Sequence, residues 1–486
     1  MQSIDQKTYL EVFEQKLHSL RKLVQDLRRG LPNRTSDQFI QGLNLIIDAV
    51  ELFLHQRVDN LKAALAGNPL ELAEQIAFHS KVALRILGAL HEEYLPLLHA
   101  ESQRNEYLVY PSIDRAVRLF TESFELTLVP DFEYNYAFVG KENFASREIE
   151  LLEAHSDQGT KSALAALRGK TALKQWITFL HFPVADRDSA LNLCVLAHEL
   201  AHLVDEATKI YQKLLPIELD KSSFDELVDA RCNTPAYGGI TASTSGPQLT
   251  FEKIFTKPGV EARCYLSCNE VLERWIREII ADILAIHAIG PASYFAFNDF
   301  FAYMGAENIP SSSHPAPAFR LQLMLDELKD TMGYMSSSSA IDSVLTEAMP
   351  RVAAGANAAK YKDEAKVVQK TIEKNLGKNA DNLLAKIRPV ISGYSFKASA
   401  YGQQVPDVLR RLRSGIAPIE VLDSSGAMSP ASVVAILNAG WELYKTDIDG
   451  FYGEFRGDVP KMERLANLNH LLFKAIEASE VARRWK

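Results

Sequence analysis

The stretch "LCVLAHELAH", residues 193–202, sets two histidines four apart in an otherwise apolar run, with a glutamate directly after the first. Residues i and i+4 of an α-helix share a face about 6 Å apart along the axis, so His198 and His202 can aim imidazole nitrogens at one point. A zinc–nitrogen bond of about 2.0–2.1 Å is compatible with that spacing. Glu199 sits one residue round the helix, within reach of a water at the same point. HExxH therefore supplies two ligands and a general base in one short segment. With the 12 histidines of this chain, a chance match has a probability of roughly 2%. Burying two imidazoles and a carboxylate among Leu193, Val195, Leu196, Ala197, Leu200, Ala201 and Leu203 is costly unless each has a partner. A metal ion is such a partner; histidines satisfied within a core are the plain alternative.

A hydrolytic zinc site takes three protein ligands and keeps one position open. Glu206 lies another 6 Å or so along the helix and cannot converge on the same ion. In "REIIADILAIHAIG" (277–290), Glu278 and Asp282 are four apart among apolar residues, which suits Glu278 as third ligand and Asp282 as acceptor from a zinc-bound histidine. Glu273, beside Arg274 and Arg277, reads as a solvated face; buried carboxylates paired with Arg or Lys are the competing reading of Glu278 and Asp282. In "SSSHPAPAFRLQL" (311–323), Pro315 stiffens the chain after His314, and Arg320 opens the next helix. A histidine there can donate to an oxyanion, and an arginine can hold a carbonyl or carboxylate.

The order "HELAH" (198–202), "EIIAD" (278–282), "SHPAPAFR" (313–320) resembles the gluzincin metallopeptidases, and in pattern the HtpX and CAAX prenyl endopeptidase family. The resemblance covers roughly residues 134–330 and includes the apolar strand "WITFLHF" ahead of HExxH. It implies Zn2+ as cofactor, held by His198, His202 and Glu278. Glu199 would activate water, Asp282 would brace His198, and His314 and Arg320 would contact substrate near the scissile bond. The relatives are membrane-embedded, whereas no stretch here reaches the 18 or so apolar residues that a spanning helix needs. A lipidated or membrane substrate therefore does not carry over.

The 486 residues exceed one ordinary core and predict two or three units. Three ranges follow: an N-terminal helical bundle over 1–130, a gluzincin-like core over 131–345 and a C-terminal helical region over 346–486. The expected fold class is mainly α with a small β-sheet (α+β). Apolar and charged fractions of 47% and 24% are those of a folded chain. A net charge of -9 without a block of like charges argues against nucleic acid as partner. The N-terminus lacks a signal-peptide h-region, and a soluble cytoplasmic protein is expected. The four cysteines form no CxxC pair and read as buried thiols, Cys194 included, although it lies one turn before His198.

Start signals for helices occur at Thr35 with Gln38 and at Asn68 with Pro69 and Glu71. Strands are predicted over 134–140 and 174–183, the latter as an edge able to pair with an extended peptide, with one or two helices between them. A helix over 188–213 is capped by Asp188 or Ser189, and a loop holds "TPAYGGITASTSGPQ" (234–248). A second long helix spans 267–289 and stops at Gly290 and Pro291. The lysine-rich 353–378 reads as an exposed helix and boundary, and Ser429 as cap of a helix beginning at Pro430.

The chemistry predicted is hydrolysis of a peptide bond in a protein or peptide substrate, with access limited by the flanking helices. The rival class is an interaction scaffold on the same fold, or a latent enzyme gated by a regulatory partner through those helices. An intact Glu199 weighs against a scaffold, which has no need of the base. A zinc hydrolase of non-peptide amides is a third reading. Tyr237 and Tyr265 qualify as oxyanion helpers by nearness in sequence alone.

Overall fold

The computed structural model describes residues 38–64, 126–133, 137–142, 144–170, 176–183, 186, 188–233, 257–303, 308–336, 339–375, 383–391, 395–422, 426–451 and 459–485, with isolated positions before 38 and between 81 and 88. Elements are numbered over these residues. The expected start signals at Thr35 and Asn68, the 234–248 loop with Tyr237, and most of the 1–130 bundle lie outside them. The chain is mainly α-helical with a small sheet, and it forms two compact units, 1–107 with 123–182, and 108–122 with 183–486.

In the first unit, helix α1 (Gln38–Ala64) buries Leu43, Ile46, Ile47, Val50, Phe53 and Leu54. Their i, i+3, i+4, i+7 spacing makes one apolar stripe. The stripe helix packs on α2 (Phe144–Ala154) and α3 (Gln158–Arg168), which lie between the strands in sequence. Asp157 divides that pair by accepting the Thr160 N–H at 2.9 Å, an ordinary N-cap. Strands β1 (Leu126–Glu133), β2 (Ala137–Glu142) and β3 (Trp176–Pro183) form one sheet in the order β1-β3-β2. β2 and β3 are antiparallel, with Val139 opposite Phe179. β3 is thus central rather than the predicted edge: both of its hydrogen-bonding sides are taken, so no extended peptide can add to it. β1 also begins within the range expected to be helical bundle.

The second unit opens with a 3-10 turn, Asn192–Val195, that runs into α4 (Leu196–Thr208). Ser189 Oγ accepts the Asn192 N–H at 3.4 Å ahead of the turn, whose N-cap residue is Leu191, and the α-helix starts later than predicted. At Lys209, φ is 56, which ends α4 and lets α5 (Ile210–Leu214) restart in a new direction. There follow α6 (Lys221–Cys232) and α7 (Lys257–Ile289), the latter ten residues longer at its start than predicted. α7 stops at Gly290, whose φ of +80 suits glycine and whose absent Cβ would fall 2.9 Å from Phe396 Cδ1.

After α7 come α8 (Pro291–Tyr303), α9 (Pro317–Asp330), α10 (Ala340–Ala358), α11 (Asp363–Asn375) and α12 (Leu383–Ile387). The unit closes with α13 (Ala398–Arg413), a hairpin of β4 (Glu420–Leu422) and β5 (Met428–Pro430), α14 (Val433–Thr446) and α15 (Lys461–Trp485). Within 353–378, the stretch expected to be an exposed helix and boundary, one face of α11 is buried. α11 turns Val367, Val368, Thr371 and Ile372 inward against α6 and α7, leaving its lysines outside. Ser429 sits in a strand, and the cap of α14 is Ser432, which accepts the Ala435 N–H at 3.1 Å. No helix among the described residues is long and apolar enough to cross a membrane.

Candidate metal centre

α4 and α7 are the most extensively packed pair of elements in the second unit, and the charged residues at their crossing explain how they are aligned. Asp205, fully buried, accepts the Tyr211 N–H at 2.8 Å through Oδ1 and Arg277 Nη1 at 3.0 Å through Oδ2. One carboxylate therefore fixes the turn after α4 and ties it to α7. Arg277 also lies 4.9 Å from the Tyr211 ring centroid and pairs with Glu273 at 3.0 Å on the solvent side, where Glu273 was expected. Neither Asp205 nor Tyr211 stood out in the sequence. Asp205 lies seven residues after His198, on the same helix face, and that spacing is its only signal.

This alignment brings His198, His202 and Glu278 together, with one ligand-type atom from each within 4.8 Å of the others. His198 Nε2 is 3.0 Å from His202 Nε2. Glu278 straddles the pair, its Oε2 lying 3.3 Å from His198 Nε2 and its Oε1 3.4 Å from His202 Nε2. A tetrahedral ion with bonds of about 2.0–2.1 Å separates its ligand atoms by about 3.3–3.4 Å, and each imidazole nitrogen has one Glu278 oxygen at about that spacing. Glu278 Oε2 is buried and forms no aligned hydrogen bond among the described residues. A carboxylate with one oxygen toward each of two imidazole nitrogens is a donor set suited to a divalent cation.

Asp282, one turn along α7, places Oδ1 at 2.9 Å from His198 Nδ1, although the ring's orientation leaves Nδ1 without an aligned hydrogen bond. Arg320, buried on α9, donates to Asp282 from Nε at 2.8 Å and from Nη2 at 2.7 Å, and its Nη2 lies 3.2 Å from Glu278 Oε2. Its guanidinium also rests over the Phe297 and Phe301 rings, at 5.5 and 5.3 Å. Phe297 sits 5.1 Å from the His198 ring as well, so α8 walls one side of the cluster. Arg320 is thus engaged with carboxylates and aromatic rings in the interior.

His314 is half-exposed and reaches Glu278 Oε1 at 3.5 Å through Nε2. Its turn is built by the serine run: Ser311 Oγ accepts the His314 N–H at 2.9 Å, Ser311 N donates to His314 O at 3.0 Å, and Ser313 Oγ engages His314 Nδ1 at 2.8 Å. Trp275 Nε1 anchors the turn to α7 by donating to Ser311 O at 3.0 Å. With Nδ1 occupied by a hydroxyl, Nε2 is the nitrogen presented to the cluster. The serines, unremarked in the sequence, are what aim this histidine. Glu199 lies half-buried on α4, close enough for its charge to act on Arg320.

Burial works against a charged His198, but Asp282 and Glu278 outweigh it and hold the ring up to about 9. Burial pushes the Glu278 carboxyl up, yet Arg320, His198 and His202 hold it well below the usual carboxylate range. Asp282 behaves likewise, with Arg320 foremost among the charges that overcome burial. Both carboxylates are ionised at neutral pH, the state that a metal ligand and its brace would need.

Glu206 is outside the cluster. Tyr265 is exposed on α7, thirteen residues before Glu278 or roughly 20 Å along the helix, and cannot serve the cluster. Cys194 is fully buried, and burial pushes its thiol up to about 12 despite a hydrogen bond with Trp441; it is a core thiol. Cys264 and Cys268 are buried beside Val260 and Leu227, with Cys232 packed against them, and all four cysteines are free.

No protein-family model matches the chain, and no curated protein and no solved structure matches it.

Proposed function

We propose that this chain is a zinc-dependent metallopeptidase with a gluzincin-like core, its zinc held by His198, His202 and Glu278. One observation carries the reading: three ligand-type side chains from two separate helices converge within 4.8 Å, with Glu199 next to the first of them. Zinc in such a site supplies a Lewis acid and a source of nucleophilic water. Glu199, placed next to the first ligand, would act as general base toward a water held there and pass the proton to the leaving amine. His314 donates from Nε2 to the oxygen of the scissile carbonyl as charge builds there. Asp282 orients His198, and Arg320 fixes Asp282 and Glu278, so the ligands need little rearrangement on binding metal. The motif order 198–202, 278–282, 313–320 supports peptide bonds as the substrate class.

The test combines metal analysis of the purified chain with digestion of a broad peptide library by wild type and Glu199→Gln. The proposal expects one zinc per chain in both proteins and cleavage by wild type alone. Equal turnover by Glu199→Gln overturns the mechanism. Bound zinc with no cleavage of any peptide overturns the peptidase reading in favour of a scaffold.

A further inference from the structure

Away from the metal cluster, helices α8, α9, α10 and α14 line a cavity of about 520 Å³. Small-molecule sites span about 300–1,000 Å³ and combine an apolar lining with a few placed polar groups. Here Val344, Ala348 and Val352 of α10 give an apolar wall, while Tyr294, Arg351 and Lys445 bring polar groups.

The two cations differ in what they touch. Lys445 is neutralised by Asp299 at 2.8 and 2.9 Å and lies over the rings of Tyr444, Trp441 and Phe295 at 4.9, 5.2 and 5.9 Å. Arg351 has neither a carboxylate partner nor a hydrogen bond among the described residues, so the charge left over at this cavity is positive. Tyr294 is only 2% exposed, yet its hydroxyl has no hydrogen-bond partner among the described residues. Burial pushes its ionisation up to about 12, opposed by the nearby charge of Arg351, so the phenol remains an O–H donor close to the guanidinium. Tyr294 lines the cavity and its hydroxyl is not sealed off from it, so a ligand atom can meet the O–H there.

We infer that this cavity binds a small amphipathic carboxylate, its head group between Arg351 and the Tyr294 hydroxyl and its apolar body along Val344, Ala348 and Val352. A guanidinium and a phenol together satisfy a carboxylate, and the branched wall suits an aliphatic chain. None of the proposed metal ligands borders the cavity, and the inference stands whether or not the chain is a peptidase.

The experiment is calorimetric titration of the full chain with decanoate, with decanol, which keeps the tail but loses the charge, and with acetate, which keeps only the head. Decanoate is expected to bind saturably at one site, with decanol and acetate each weaker by about tenfold or more. Arg351→Ala should weaken decanoate about tenfold and leave decanol unchanged, and Tyr294→Phe should weaken decanoate about threefold. Arg351 is exposed and unpaired, so an unaltered melting temperature verifies the fold of its variant; Arg351→Gln repeats the test with most of the side chain kept. Decanoate binding unaffected by both Arg351 variants, equal binding of decanol, or no saturable binding overturns the inference.

Discussion

Arg320 grips Asp282 at two points, Nε on Oδ2 and Nη2 on Oδ1, and the same Oδ1 faces His198 Nδ1 at 2.9 Å. A carboxylate on α7, held by an arginine on α9, thus sits against a histidine on α4. Three segments remote in sequence are locked by one buried carboxylate, and a bidentate pair of this kind fixes angle as well as distance.

Asp282→Asn should lower stability by about 3–5 kcal/mol, toward the smaller figure because Glu278 still faces Arg320, since a buried guanidinium loses its main counter-charge. Urea denaturation with the metal chelated reads this directly. Zinc affinity, measured by chelator competition, should fall about 10–100-fold through the loosened histidine. A variant matching wild type in both assays would show that the grip does not organise the cluster.

His314→Ala should leave zinc content and melting temperature as in wild type, because the ring is half-exposed and stands outside the ligand triangle. Peptide turnover should drop about 100-fold in kcat, the loss expected for one oxyanion donor. Full activity in this variant would remove His314 from the mechanism.

Glu327 on α9 gives a pH dependence of stability. Its side chain is wholly buried, meets His287 Nε2 at 2.8 Å and accepts Arg388 Nη2 at 2.7 Å. Burial pushes the carboxyl up, but His287 and Arg388 hold it down at about 2, below the usual 4.5. A depressed folded-state value stabilises fully above the unfolded value and is lost as pH falls toward the folded one. Stability should therefore decline between about pH 4.5 and 2 by on the order of 3 kcal/mol from this group. Glu327→Gln, less stable at neutral pH, should show a flatter decline across that window; an unchanged slope in denaturant titrations would assign the acid sensitivity elsewhere.

Asn438 of α14 closes the junction between α7 and α8, donating to Ile289 O at 2.6 Å and accepting from Ala292 N at 3.0 Å. Asn438→Ala leaves a buried carbonyl and a buried N–H unmatched and should cost about 2–4 kcal/mol in chemical denaturation. A loss under half a kcal/mol or so would mean that the junction holds itself.

Much of the cluster was legible because its information is local. The spacing of His198, Glu199 and His202, and of Glu278 and Asp282, is helical periodicity and needs no tertiary knowledge. Gly290 as the stop of α7 was likewise readable, since φ of +80 is a glycine conformation. Partners were not legible. Asp205 and Arg277 are 72 residues apart, Asp282 and Arg320 are 38 apart, and no periodicity selects one carboxylate for one guanidinium. Strand position failed for the same reason: an apolar run such as "WITFLHFP" fits a central or an edge strand, and only the arrival of β1 beside it decides. In 353–378, abundant lysine hid a stripe of four buried residues on α11. Ser429 read as the cap, but the pairing of β4 with β5 takes it into a strand, and Ser432, three residues on, supplies the capping oxygen.

Gly440 meets Leu472 of α15 and Leu191 ahead of α4 so closely that an added Cβ would fall 2.7 and 3.1 Å from their methyl carbons. Beside it, Trp441 Nε1 holds Leu191 O at 3.1 Å and Asn469 Oδ1 accepts the Leu191 N–H at 3.2 Å. The first histidine helix is thus moored at its root by α14 and α15. A fragment ending at 345 would keep every motif residue and forfeit those moorings, so motif span and folding span are different lengths of this polypeptide. Cutting out only the span that holds the metal-type cluster would break that seam, so a shortened version has to carry the tail along.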